Sequence, residues 1–276
     1  MAIEQMDRNE IATAITSVAM PGVLFQPPQD AKALARRLNE YAADLRVRWP
    51  KRFGGFAIIP MHDVDDSIAE IAYALDVLKL EGVCLFTSYG EKYLGDASFD
   101  PLLEELNRRK AVVYTHPTLH PSTRGISLSY PAFLMEYLFD TTRMATNLIF
   151  SGALDRFPDI KFILSHAGGT LGYISWRLGS GPAIDPGLPQ WPRAKIEAAL
   201  RRFWYDNAIS SAPGTMMALK AVAGPEKILF GTDWPFVTDH LLAEHVNGHT
   251  TASIHTDAER EAIDRGNALT LWPHLA

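Results

Sequence analysis

Ala111-Val112-Val113-Tyr114-Thr115-His116-Pro117 is the stretch on which the fold turns. Its apolar part is too short for a helix, carries two adjacent valines, and does not alternate with polar residues. That pattern fits a strand buried on both faces, as in a parallel sheet, and it runs straight into a histidine and a proline. The same grammar recurs downstream. Lys161–Leu164 leads into Ser165-His166-Ala167-Gly168-Gly169, and Lys227–Phe230 ends in Gly231-Thr232-Asp233-Trp234-Pro235. Working outward, Ala12–Val18, Phe53–Ile59, Gly82–Phe86 and Phe203–Asp206 are four more short strand-like runs.

Helical patterns fill most of the intervals. Leu34, Leu38, Tyr41 and Leu45 share one face of a segment that begins near Asp30. Asp65 is placed to cap a helix carrying Ile68, Ile71, Leu75 and Leu78, and Phe99–Arg109 carries Pro101 in its first turn. Further helical stretches are expected over Pro131–Phe157, Thr215–Ala223 and Asp257–Arg265. Strand–helix alternation over the 276 residues predicts one α/β domain, residues 1–276, built on a parallel sheet. Seven strands are one short of a (β/α)8 barrel. A doubly wound sheet would tolerate seven, but the phosphate-binding glycine loop expected after its first strand is missing from the sequence.

Composition narrows the function. With 47% hydrophobic and 21% charged residues the chain has a large core and a solvated surface, which excludes disordered and fibrous classes. A net charge of −6 with no basic run argues against a nucleic-acid partner and for a small molecule. The single cysteine, Cys84, allows no intrachain disulfide. The start Met1-Ala-Ile-Glu lacks the form of a signal peptide, and no run approaches about 20 apolar residues. A cytoplasmic protein is the expectation.

His116, His166 and Asp233 each follow a short apolar run. In a parallel barrel those are the C-terminal strand ends, where active sites are built. Imidazole nitrogen and carboxylate oxygen suit a divalent metal, and either group can also move a proton. Singly, each has a structural reading, as a paired core histidine or the start of a turn. Together, at matching strand ends, they point to a site.

Tyr114-Thr115-His116-Pro117, Ser165-His166-Ala167-Gly168-Gly169 and Gly231-Thr232-Asp233-Trp234-Pro235-Phe236 resemble the amidohydrolase-superfamily group that includes aminocarboxymuconate-semialdehyde, gamma-resorcylate and 5-carboxyvanillate decarboxylases. Phe157-Pro158-Asp159-Ile160-Lys161 adds to the likeness. So does the spacing: His166 follows His116 by 50 positions, and Asp233 follows His166 by 67. The resemblance implies a metal-dependent nonoxidative decarboxylase of a small aromatic or unsaturated carboxylic acid. It makes His116 and Asp233 metal ligands and His166 a proton carrier beside the metal, with the three forming at most a two-histidine, one-carboxylate set. Zinc is the first expectation and manganese the second. Arg177, which taken alone reads as a helix-surface salt bridge, would by the resemblance bind a substrate carboxylate in the neighbouring subunit, which implies a homodimer or larger homo-oligomer.

The chain also departs from that pattern. Family members begin with a strand carrying His-x-His or Glu-x-His, whereas the first histidine here is His62 and Ala12–Val18 matches the family's second strand. The expectation is therefore a barrel lacking its first strand, with a neighbouring chain or the N-terminal segment over the gap. A metal-dependent amide, lactone or ester hydrolase and a noncatalytic relative stand as alternatives. His62, just past Phe53–Ile59, is placed to serve as a substitute ligand at the mouth but reads first as a solvated loop residue. His120 and Arg124 lie in the loop after His116 and read either as contacts to an acidic substrate or as plain loop residues. Asp206 supports the site or caps a helix, and Asn247-Gly248 argue against a continuous helix joining His245 and His249.

Overall fold

The computed structural model describes residues 2–276, so the expectation drawn at Met1 lies outside the described residues. Seven parallel strands form one sheet: β1 (Ala14–Thr16), β2 (Phe53–Ile58), β3 (Gly82–Phe86), β6 (Val112–His116), β7 (Lys161–Leu164), β8 (Trp204–Asp206) and β9 (Ile228–Leu229), hydrogen-bonded in that order. Between β3 and β6 a short antiparallel hairpin, β4 (Ser88–Tyr89) and β5 (Lys92–Tyr93), stands outside the sheet. Among the described residues the α-helices are α1 (Ala2–Arg8), α2 (Pro28–Arg48), α3 (Val64–Ala72), α4 (Asp100–Arg108), α5 (Phe133–Phe150), α6 (Ala153–Arg156), α7 (Leu171–Ile184), α8 (Arg193–Leu200), α9 (Pro213–Val222), α10 (Asp239–Thr251), α11 (Asp257–Glu261) and α12 (Asn267–Leu271).

The sheet curls, and its side chains show it. Phe56, Cys84, Val112, Ile163, Trp204 and Leu229, one from each of six strands, meet in a single buried cluster with Trp272. Phe56 of β2 stacks on Tyr114 of β6 across the intervening β3, with ring centroids 5.3 Å apart. Only a sheet bent round its own inner face brings such residues together. A larger apolar layer between the outer face and the helices holds Leu85, Leu102, Leu106, Leu148 and Phe203. Burying each of these side chains contributes about 1.5–3 kcal/mol before entropy is counted. Among the described residues the architecture is a curled seven-stranded parallel sheet with helices on its outer face, one strand short of a (β/α)8 barrel, as expected.

The two edges, β1 and β9, are bridged by the N-terminal helix. In α1, Gln5 donates to Asp239 at the start of α10 (2.5 Å), Asp7 pairs with Arg52 just before β2 (2.7 Å), and Met6 is buried. The chain's own N-terminal segment, one of the two covers expected for the gap, thus reaches residues beside both edges.

Several helix expectations need correction. The buried face of α2 is Ala31, Ala35 and Asn39, while Tyr41 is exposed: small residues let the helix approach β2, and the larger apolar stripe is turned aside. The α3 cap is Asp63, which accepts from the Asp66 amide at 2.9 Å; Asp65 lies inside the first turn. The helix expected over Pro131–Phe157 breaks at Gly152, whose left-handed backbone (φ 75°) starts a separate short helix. His245 and His249 do share a continuous helix, because burial of both rings outweighs the propensity cost of Asn247 and Gly248.

Candidate active site

The strands deliver His116, His166 and Asp233 to one mouth. His116 ends β6 and is buried, and its ring meets that of His166 edge-on at 6.1 Å. His166 follows β7 in a tight turn, and its Nε2 lies 3.6 Å from Asp233 Oδ2. Asp233, beyond β9, is the most open of the three, with 22% of its side chain exposed. His166 and Asp233 both have left-handed backbones, φ 53° and 59°, a geometry that costs side-chain-bearing residues on the order of 1–3 kcal/mol each.

The surrounding hydrogen bonds explain how those conformations are held. Asp206, at the end of β8, accepts the His166 amide at 2.8 Å, the Ala208 amide at 3.0 Å and the Tyr114 hydroxyl at 3.1 Å. Its neighbour Asn207 accepts the Gly231 amide at 3.0 Å, and His245 Nε2 donates to the Gly231 carbonyl at 2.8 Å. One strand end thus fixes the approach to both His166 and Asp233. Asp206 works through backbone amides; it does not cap a regular helix.

The two imidazoles are electrostatically unlike. Burial pushes His116 down to about 4, with His166 adding to the effect, so it is a neutral ring at neutral pH. For His166 burial opposes the charge, but the carboxylates of Asp233 and Asp206 outweigh it and raise its pKa above the ordinary value. Burial also raises Asp206. One imidazole that stays neutral and one that is readily charged therefore sit side by side.

His116 Nδ1 donates to the Pro117 carbonyl at 2.8 Å, which leaves the lone pair on Nε2. That nitrogen and the Asp233 carboxylate are chemically suited to a divalent cation. Among the described residues, no group of three or more His, Cys, Asp or Glu is arranged to hold one, so the chain offers a partial donor set.

Other expected residues fall elsewhere. His62 is an exposed turn residue, as read. His120 stacks on Tyr93 at 4.7 Å and bonds Ser122, a role within its own loop. Arg177 is exposed on α7 and makes no hydrogen bond or ion pair with the described residues. His249 Nε2 bonds Asp264 at 2.7 Å, away from the mouth. Sequence reasoning missed Tyr137, whose ring stands edge-on to His116 at 5.7 Å, and Asp140, buried behind it. A carboxylate in the apolar run Leu138-Phe139-Asp140 was the one available signal.

A curled parallel sheet with histidine and aspartate at its C-terminal strand ends defines a barrel enzyme of the amidohydrolase superfamily. The amidohydrolase family model matches residues 4–274, and the chain belongs to that family. It is 38% identical over 270 residues to 6-methylsalicylic acid decarboxylase of Penicillium expansum, covering 96% of this chain and 83% of the relative. It is 28% identical over 285 residues to gamma-resorcylate decarboxylase of Rhodococcus jostii, covering 98% and 86%. Among solved structures it resembles dihydroxybenzoic acid decarboxylase of Polaromonas, crystallised with manganese and the inhibitor 2-nitroresorcinol. That match has a TM-score of 0.86 and 27% identity, and covers 99% of this chain and 85% of the other.

Proposed function

We propose that this chain is a nonoxidative decarboxylase of small aromatic carboxylic acids. The observation that carries the reading is the raised, buried imidazole of His166 beside Asp233 at the mouth of a barrel whose relatives are aromatic-acid decarboxylases. His116 Nε2 and the Asp233 carboxylate would hold a divalent metal. Manganese is favoured over zinc by the Polaromonas structure. When bound, such an ion supplies Lewis-acid polarisation of the substrate's oxygens.

The remaining chemistry belongs to the chain's own residues. His166 carries the proton. As the bond to the carboxylate breaks, its electron pair stays on the ring carbon, the carboxylate leaves as carbon dioxide, and the ring carbon takes the proton from His166. Asp233, 3.6 Å away, stabilises the imidazolium before that transfer. Asp206 keeps the His166 backbone in its left-handed turn, and Tyr137 walls the mouth beside His116.

The reading extends to a cytoplasmic homodimer or larger homo-oligomer. Its support is α7, where Tyr173 is 87% and Trp176 73% exposed beside the unpaired Arg177. An apolar, cation-bearing face of that kind fits a subunit contact in which Arg177 meets a substrate carboxylate.

Carbon dioxide release from 6-methylsalicylate and 2,6-dihydroxybenzoate, in the presence of manganese, tests the activity. Wild type is expected to release carbon dioxide, and His166→Ala to lose at least a hundredfold in rate. Equal rates in the two proteins would sink the assignment of His166.

A further inference from the structure

The Pro117–Thr118 peptide is bonded on both sides. Its carbonyl oxygen accepts from His116 Nδ1 at 2.8 Å, and its amide, Thr118 N–H, donates to Asp140 Oδ2 at 2.9 Å. A single peptide unit therefore joins a buried carboxylate to the imidazole at the mouth. We infer that Asp140 is a positioning residue for His116, setting its tautomer and ring orientation through that peptide. The inference builds on the site reading above.

Three observations support it. First, Asp140 is 1% exposed, and no cation neutralises it through a hydrogen bond or ion pair among the described residues. Its other donors are the hydroxyls of Tyr93 (2.7 Å, to Oδ1), Thr118 (3.1 Å) and Thr87. A buried carboxylate satisfied by neutral donors is costly unless the arrangement is tightly fixed.

Second, the donors belong to the segments that flank His116. Thr87 N–H donates to the His116 carbonyl at 3.0 Å, and Ser88 shares a hydrogen bond with Thr118 at 2.7 Å. Asp140 thus fastens the start of the β4–β5 hairpin and the exit of β6 to helix α5.

Third, the direction of polarisation is right. A negative charge at the amide end draws the peptide N–H and enriches the carbonyl oxygen, which strengthens its bond to His116 Nδ1–H. Holding the proton on Nδ1 keeps the lone pair on Nε2, the nitrogen facing the mouth. Histidine ligands commonly take this support from a carboxylate or carbonyl on the far ring nitrogen, and its loss weakens metal binding by about 10–100-fold. Here carboxylate and carbonyl act in series.

Asp140→Asn keeps the shape and removes the charge. Nitrogen NMR of the metal-free, histidine-labelled protein reads the His116 tautomer directly. Wild type is expected to show His116 protonated on Nδ1, and the variant a mixture with a substantial Nε2-protonated share. Manganese titration should then give a Kd about tenfold weaker for the variant. An unchanged tautomer overturns the inference, and so does a manganese Kd within twofold of wild type, even where the variant's Tm falls. Failure of the site reading looks different: wild type would bind no manganese, while the tautomer comparison would still decide the role of Asp140.

Discussion

His166 and Asp233 adopt backbone angles that side-chain-bearing residues avoid, and the turn beside His166 tolerates them through glycine. Gly169 has φ 65°, and a Cβ built on it would run into the Leu138 carbonyl and lie 2.7 Å from Thr142 Oγ1. Gly169→Ala is therefore expected to destabilise the protein by about 2–4 kcal/mol, read by urea denaturation, and to displace His166 from Asp233. At this scale the site was half legible. A histidine or aspartate directly after an apolar run is visible in the letters. The conformations are not, because they depend on Asp206 and Asn207, which are 40 positions away from His166 in the case of Asp206. Tyr137 was illegible for the same reason, and Asp140 showed only as a carboxylate in an apolar run: a helix residue declares a role only when its neighbour in space is known.

Helix α4 shows how charge works at the level of an element. Arg108 first, then Arg109, hold the Glu105 carboxyl down at about 2 against the opposing effect of burial. A carboxyl depressed from 4.5 contributes stability that is complete above the unfolded value and is lost as pH falls through 4.5 toward 2. Because Arg108 is 64% exposed and solvent screens it, Glu105→Gln should cost only about 1 kcal/mol at pH 7. Chemical denaturation at several pH values should show that difference shrinking below pH 4.5. The strands were the most legible elements: six of the seven expected runs contain one, and the run at Ala111–Tyr114 overlaps a strand that continues through Thr115 and His116. The β4–β5 hairpin was not foreseen, because strands of two residues leave no periodicity to read. The α10 helix was misjudged on Asn247-Gly248. Gly248 has a use there, as a Cβ on it would stand 3.1 Å from Ser211 Oγ.

At the scale of the molecule, β1 and β9 are not paired with one another, yet the curl persists because the inner cluster spans six strands and Trp272 closes onto Phe56 and the Glu81 carbonyl. The α/β class and the parallel order followed from strand–helix alternation. The way α1 spans from Arg52 to Asp239 did not, since a seven-residue helix carries no signal of its partners. That scaffold brings three residues from distant parts of the chain to one mouth, where a carboxylate is to be exchanged for a proton. Proton NMR of 2,6-dihydroxybenzoate turned over by the manganese-loaded chain in deuterium oxide tests it most directly. The expected result is a phenolic product carrying one deuterium at the carbon that lost carbon dioxide. Recovery of the acid with its carboxylate intact, under conditions where manganese is bound, would contradict it.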